Sequence, residues 1–178
     1  MAQANVAYRQ LTSLAAAVSL CNGISRALSA VVTAGGTGYK VGDILTVSGG
    51  TNIARAAQFV VDAVDPTGIV TSVRLFLNRS GGYTSTPANA VATTTNGAGS
   101  GCTLPVTYQS GGPPEDATSA LVQAEAQAVR YRDDGTDPTG SVGATLAAGD
   151  SVVLTGDLSS YKFIEQAASA KLNITFMR

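Results

Sequence analysis

The sequence predicts an all-β fold of sandwich or barrel type. Three observations carry that expectation. Apolar and β-branched runs of strand length alternate with glycine clusters through the centre of the chain. Turn signals recur at short, regular spacing through the last third. The one stretch of helix-favouring composition, "ALVQAEAQAVRYR" (120–132), lacks a 3.6-residue period.

The elements follow in order. "LAAAVSLC" (14–21) is a short apolar run ending in Cys21, and reads as a strand or short helix feeding the core. It does not fit a lipoprotein signal, because only Arg9 precedes it as a basic residue and Leu20 stands where a small residue should. No run approaches the roughly 20 apolar residues of a membrane-spanning helix. "ALSAVVTA" then leads into "GGTGY", "DILTVSGG" and "AAQFVVDAVD". A "DPTG" turn (65–68) and "IVTSVRLFL" follow. Val, Ile, Thr and Phe suit a pleated surface, and glycine supplies the turns. "QSGGPPEDATS" (109–119) reads as a linker, since Pro-Pro blocks helix and strand alike. Residues 120–132 read as a strand, with Val122, Ala124, Ala126 and Ala128 alternating with larger or polar residues. "SVGATL", "SVVLTG", "YKFIE" and "AKLNITFMR" are strands separated by "AAGD", "DLSS" and "QAAS".

A weak internal repeat runs through the centre. "VVTAGGTGYKVGDILTVSGG" (31–50) parallels "RLFLNRSGGYTSTPANAVATTTNGAGSG" (74–101). Tyr39 aligns with Tyr83, and Phe59 and Leu104 follow at similar distances. The expectation is a duplicated β unit in which each tyrosine packs its ring over the preceding glycine turn. Two copies are too few for a solenoid, so they form one small β domain.

Composition narrows the chemistry. Of 178 residues, 44% are hydrophobic and 13% charged, against about 25% charged in typical domains. Such a surface repels neighbours weakly and suits a protein packed against others. Net charge is −1 with no basic run, so nucleic acid is not an expected partner. There is no histidine and no CxxC pair, which excludes Cys/His zinc sites within one chain and every mechanism with a histidine base. Cys21 and Cys102 are expected as reduced, buried thiols. "GTGYKVG" (36–42) leads into a strand where a nucleotide loop would open a helix, and "NGAGSG" (96–101) lacks the Lys-Ser/Thr of a phosphate loop. No cofactor is expected.

The densest charge is "VRYRDDGTDPTG" (129–140). Asp133-Asp134-Gly135 is a turn signal, and Asp137-Pro138 starts a second turn. Arg130 and Arg132 are expected to pair with neighbouring carboxylates, in the same subunit or the next. A calcium loop would need six to eight oxygens, and no Glu follows at EF-hand spacing. Adjacent Asp133 and Asp134 would diverge rather than face each other across a sugar cleft, so a glycosidase pair is not expected. Tyr39, Tyr83 and Tyr131 offer rings that could stack on sugars, but a chain with 6% aromatics and no Trp spends them on core or interface packing.

The stretch 120–176 resembles small virion structural proteins of tailed bacteriophages. The resemblance rests on an "AE.QAVRYRDDGT.PT" strand and turn, the "LAAGD" and "GDL" turns, and a final "A.LN" strand. "GGTGYKVGDILTVSGGT" with "GGYTSTP" is similar to a module that recurs in phage tail, fibre and head-decoration proteins. The resemblance implies a jelly-roll-like β-sandwich made from 1–23 and 113–178. Residues 24–112 would then be a β-rich module inserted in one of its loops. The alternative is two domains in series, with 1–30 in the first. The implied role is a non-enzymatic capsid decoration or cementing protein, a homotrimer contacting the major capsid protein or another virion protein. It would be made in the bacterial host cytoplasm and reside on the virion surface, with no membrane partner. Arg130, Arg132, Asp133, Asp134, Asp137, Tyr39 and Tyr83 would then be interface or turn residues. The alternative role is a collar, tail or fibre component whose inserted module binds host-surface glycans. A carbohydrate-active enzyme is disfavoured by the missing His, Trp and spaced carboxylate pair.

Overall fold

The computed structural model describes residues 4–178, and among these every regular element is a β-strand. The chain divides into two compact units: the residues up to Gly23 together with Gly111–Arg178, and Ile24–Ser110. Strands β1 (Asn5–Leu11) and β2 (Val18–Ser19) open the first unit. The second contains β3 (Ser25–Ala30), β4 (Ala34–Thr37), β5 (Ile44–Val47), β6 (Thr51–Asn52) and β7 (Gln58–Val64). It continues with β8 (Val70–Leu75), β9 (Tyr83–Ser85), β10 (Val91–Thr95), β11 (Ser100–Leu104) and β12 (Val106–Ser110). The first unit resumes with β13 (Ser119–Glu125), β14 (Val129–Arg132), β15 (Ala144–Leu146), β16 (Ser151–Thr155), β17 (Lys162–Glu165) and β18 (Lys171–Met177).

The first unit is sandwich-type, with two four-stranded antiparallel sheets ordered β1-β18-β13-β16 and β15-β14-β17-β2. Strand alternation builds its core. Ala120, Val122 and Ala124 of β13 and Leu172, Ile174 and Phe176 of β18 are buried, as are Val129, Leu146 and Phe163 of the other sheet. Each large apolar side chain so buried contributes about 1.5–3 kcal/mol. Leu14, Leu20 and Cys21 are also buried, so the apolar run near the N-terminus feeds this core.

The stretch 120–132 is two strands rather than one. Glu125 ends β13, Ala126 takes a left-handed conformation (φ 70°), and β14 begins in the other sheet. The backbone bend carries the chain from one layer to the other. Ala126 and Ala128 therefore fall outside the alternation that Val122 and Ala124 follow, and Val129 takes the buried position instead.

In the second unit a six-stranded sheet runs β4-β11-β10-β5-β7-β8, and a smaller one β12-β3-β9-β6. The repeat becomes a local two-fold relation. Leu45 pairs with Phe59 in the first half, and Val91 with Leu104 in the second. Val47 and Thr93, equivalent under that alignment, pair with each other at the centre of the sheet. Each half lends its leading strand to the other: β4 pairs with β11, and β8 with β7. The edge strands β4 and β8 approach so closely that the sheet nearly closes into a barrel. A Cβ on Gly35 would lie 2.3 Å from the Val70 carbonyl oxygen. The "AGGT" segment, expected as a turn, is thus a strand in which Gly35 permits close backbone approach.

Candidate functional site

The charged turn after β14 is built on one motif, used three times. Asp134 Oδ1 accepts hydrogen bonds from the Thr136 backbone N–H (3.0 Å) and hydroxyl (2.6 Å). Asp65 does the same with Thr67 (2.8 and 2.7 Å), and Asp157 with Ser159 (3.0 and 2.6 Å). These side-chain turns replace ladder bonds with local ones. They hold all three carboxyls below the ordinary carboxylate range. The main causes are the Ile69 N–H and Thr67 hydroxyl at Asp65, the Thr136 and Arg132 side chains at Asp134, and Ser159 at Asp157. Asp134 is therefore ionised at neutral pH and is no proton donor.

The remaining charges of this stretch divide between side-chain and backbone partners. Arg132 Nη2 donates to Asp134 Oδ2, and Lys162 Nζ donates to Asp137 Oδ1 (2.6 Å). Within the chain, Arg130 pairs with no carboxylate among the described residues. Its Nε and Nη1 donate to the carbonyls of Gly140 (3.0 Å) and Gly143 (2.9 Å), closing the loop from inside. The loop closes back on β14, so that among the described residues the guanidinium meets these carbonyls and no acid. The Asp133 carboxylate has no partner among the described residues, while its backbone carbonyl accepts from the Ser160 hydroxyl (2.7 Å). Tyr131 stacks on Phe163, ring centroids 5.5 Å apart. Tyr131, Arg132, Asp133, Asp134, Val142, Gly143 and Ala144 line an open depression of about 420 Å³. Among the described residues, no three His, Cys, Asp or Glu side chains converge as metal ligands.

Tyr39 and Tyr83 belong to the other unit, and both are buried in its core. Each ring lies over glycine: Cβ atoms on Gly36 and Gly99 would fall within 3 Å of Tyr39, and one on Gly81 within 3 Å of Tyr83. The tyrosine hydroxyls accept reciprocal bonds. Cys102 N–H donates to Tyr39 (3.2 Å), and Ala57 N–H donates to Tyr83 (2.6 Å). Cys102 and Ala57 are equivalent under the repeat, each two residues before Leu104 or Phe59. Neither ring is available for stacking on a ligand. Tyr108 meets Tyr83 edge-on at 5.5 Å, and its buried hydroxyl lacks a partner among the described residues. Burial, then the neighbouring Tyr83, pushes its pKa above the ordinary tyrosine value.

One surface escaped the sequence reading. The outward face of the β1-β18-β13-β16 sheet carries ordered rows. Val153, Leu121, Thr175 and Tyr8 pair across all four strands. Ser151, Gln123, Asn173 and Gln10 form the next row, and Glu125 pairs with Lys171 beyond it. Tyr8 is 57% exposed, Val153 52% and Leu121 37%. Asn173 links the polar side chains. Its Oδ1 accepts from the Tyr8 hydroxyl and from Gln10 Nε2 (both 2.9 Å), and its Nδ2 donates to Glu125 Oε2 (2.8 Å). The alternation in "ALVQAE" hinted at this face, but β1, β13 and β18 had to be brought together to reveal it.

The chain matches no protein-family model, no curated protein and no solved structure.

Proposed function

We propose that this chain is a non-enzymatic structural component of a tailed-bacteriophage virion, a head decoration or cementing protein acting as a homotrimer on the major capsid lattice. The observation that carries the reading is the resemblance of residues 120–176, above all "RYRDDGT" and "LAAGD". Two further features support it. The chain is all-β with few charges, which suits repeated lateral contacts. The Arg132–Asp134 and Lys162–Asp137 pairs are partly exposed, where charges of a neighbouring subunit can reach them. Burial of Tyr39 and Tyr83 removes the rings that a glycan-binding inserted module would have used for stacking. Heads lacking the protein test the proposal. Purified chain should cosediment with them and raise their resistance to heat, with sedimentation of the free protein at trimer mass. Failure to bind such heads would refute the decoration role.

A further inference from the structure

The outward face of the β1-β18-β13-β16 sheet is ordered in a way that core packing does not require. We propose that it is a binding site for a neutral oligosaccharide. The proposal goes beyond the virion reading and does not depend on it.

Three features select this occupant. The first is the pairing of rows. A row of Val153, Leu121, Thr175 and Tyr8, mostly apolar, lies beside a row of Ser151, Gln123, Asn173 and Gln10, mostly amide. A pyranose has the same two-sided chemistry: its C–H face packs on an aromatic or aliphatic side chain, while its hydroxyls need donors and acceptors together. Amides supply both, and a tyrosine ring supplies an amphipathic platform.

The second feature is charge. Glu125 accepts from Asn173 and lies 3.8 Å from Lys171 Nζ, so the acid and base at this end offset each other. Tyr8, Gln10, Leu121, Gln123, Asn173 and Thr175 complete the lining and are all uncharged. A phosphate or a cation would find no excess of opposite charge, whereas a neutral polyol needs none.

The third feature is size. Strands about 4.8 Å apart and same-face residues about 7 Å apart make this strip roughly 14 Å by 14 Å, or on the order of 200 Å². A stable protein–protein contact takes about 800 Å² from each partner. The depression, of about 420 Å³, falls instead within the usual range of small-ligand sites. The Asn173 network also fixes Tyr8, Gln10 and Glu125 in advance, which lowers the ordering cost of binding. The side-chain amide of Gln123 is exposed, has no hydrogen-bond partner among the described residues and is available to a ligand.

The test is an NMR titration of the full-length, isotope-labelled chain with cellohexaose, maltohexaose, xylohexaose and mannohexaose. At least one should shift the outward residues of β1, β13 and β18 and the side-chain amides of Gln10, Gln123 and Asn173. Tyr8→Ala and Asn173→Ala should each weaken that binding by roughly tenfold or more. Tyr8→Phe should retain most of it, and Asp134→Asn all of it. Tyr8 and Asp134 are exposed and Asn173 is half-buried, and unchanged melting curves would show that the variants remain folded. Three outcomes would overturn the proposal: no shift with any of the four sugars at millimolar concentration, shifts confined to another surface, or shifts of this face that follow protein concentration alone. The last would assign the face to a second copy of the chain.

Discussion

Removing a hydroxyl from Tyr83 and from Tyr108 is the same chemical change, and the structure predicts different results. Tyr83 is fully buried and its oxygen accepts the Ala57 N–H at 2.6 Å. Tyr83→Phe leaves that N–H desolvated without a partner, a loss of about 1–3 kcal/mol. Tyr39→Phe strands the Cys102 N–H in the equivalent position and should lose a similar amount. Tyr108 carries a buried hydroxyl that bonds to nothing described, so Tyr108→Phe removes an uncompensated polar group. It should be neutral or stabilising by up to about 1 kcal/mol. At roughly 4–8 °C per kcal/mol for a unit of this size, Tyr83→Phe and Tyr39→Phe should each lower Tm by roughly 4–24 °C. Tyr108→Phe should leave Tm level or raise it. Calorimetry, or circular dichroism during heating, reads all three. Because the chain has two units, the transition assigned to Ile24–Ser110 is the relevant one. The reasoning fails if Tyr108→Phe is as damaging as Tyr83→Phe. It fails equally if only one of the two repeat tyrosines matters, since the two-fold relation makes them equivalent.

Other predictions follow from the same geometry. Asp65, Asp134 and Asp157 have folded-state pKa values below their unfolded ones. Their stabilisation is complete above about pH 4 and is lost as pH falls from there toward the folded values, so Tm should drop on acidification. Changing all three to Asn should flatten that drop while retaining the turn bonds through the amide oxygen; an unchanged acid profile would contradict the assignment. Arg130→Ala should raise hydrogen-exchange rates across residues 133–143, because the carbonyls of Gly140 and Gly143 lose their donor; unchanged exchange would show that the loop closes without it. Gly35→Ala should cost about 1–3 kcal/mol through its clash with the Val70 carbonyl, whereas Gly140→Ala meets open space and should be near neutral. Chemical denaturation of the two variants separates these outcomes.

The strands were legible where side-chain chemistry sets them. β16, β17 and β18 lie within segments marked by β-branched runs and Asp or Gly turns. The tyrosine–glycine packing was legible too, because a ring needs an opposing surface without a Cβ. What escaped depends on partners distant in sequence. Nothing about Ala126 announces a positive φ; the bend follows from β13 and β14 joining different layers. Gly35 reads locally as a turn residue; pairing with β11 makes it a strand residue, and the approach of β8 leaves no room for a side chain there. Arg130 lies near three aspartates in sequence, yet loop closure brings carbonyls to it first. The amide row joins Gln10, Gln123 and Asn173, which come from three distant parts of the chain.

The central claim, that this chain decorates a phage head, is tested most directly by its copy number in the intact virion. Quantitative mass spectrometry against the major capsid protein provides the ratio. The account predicts a ratio of the same order as the capsid subunit itself, because decoration repeats over the whole lattice. A ratio limited to a small fraction of the capsid subunits, as at a single collar or tail, would contradict it.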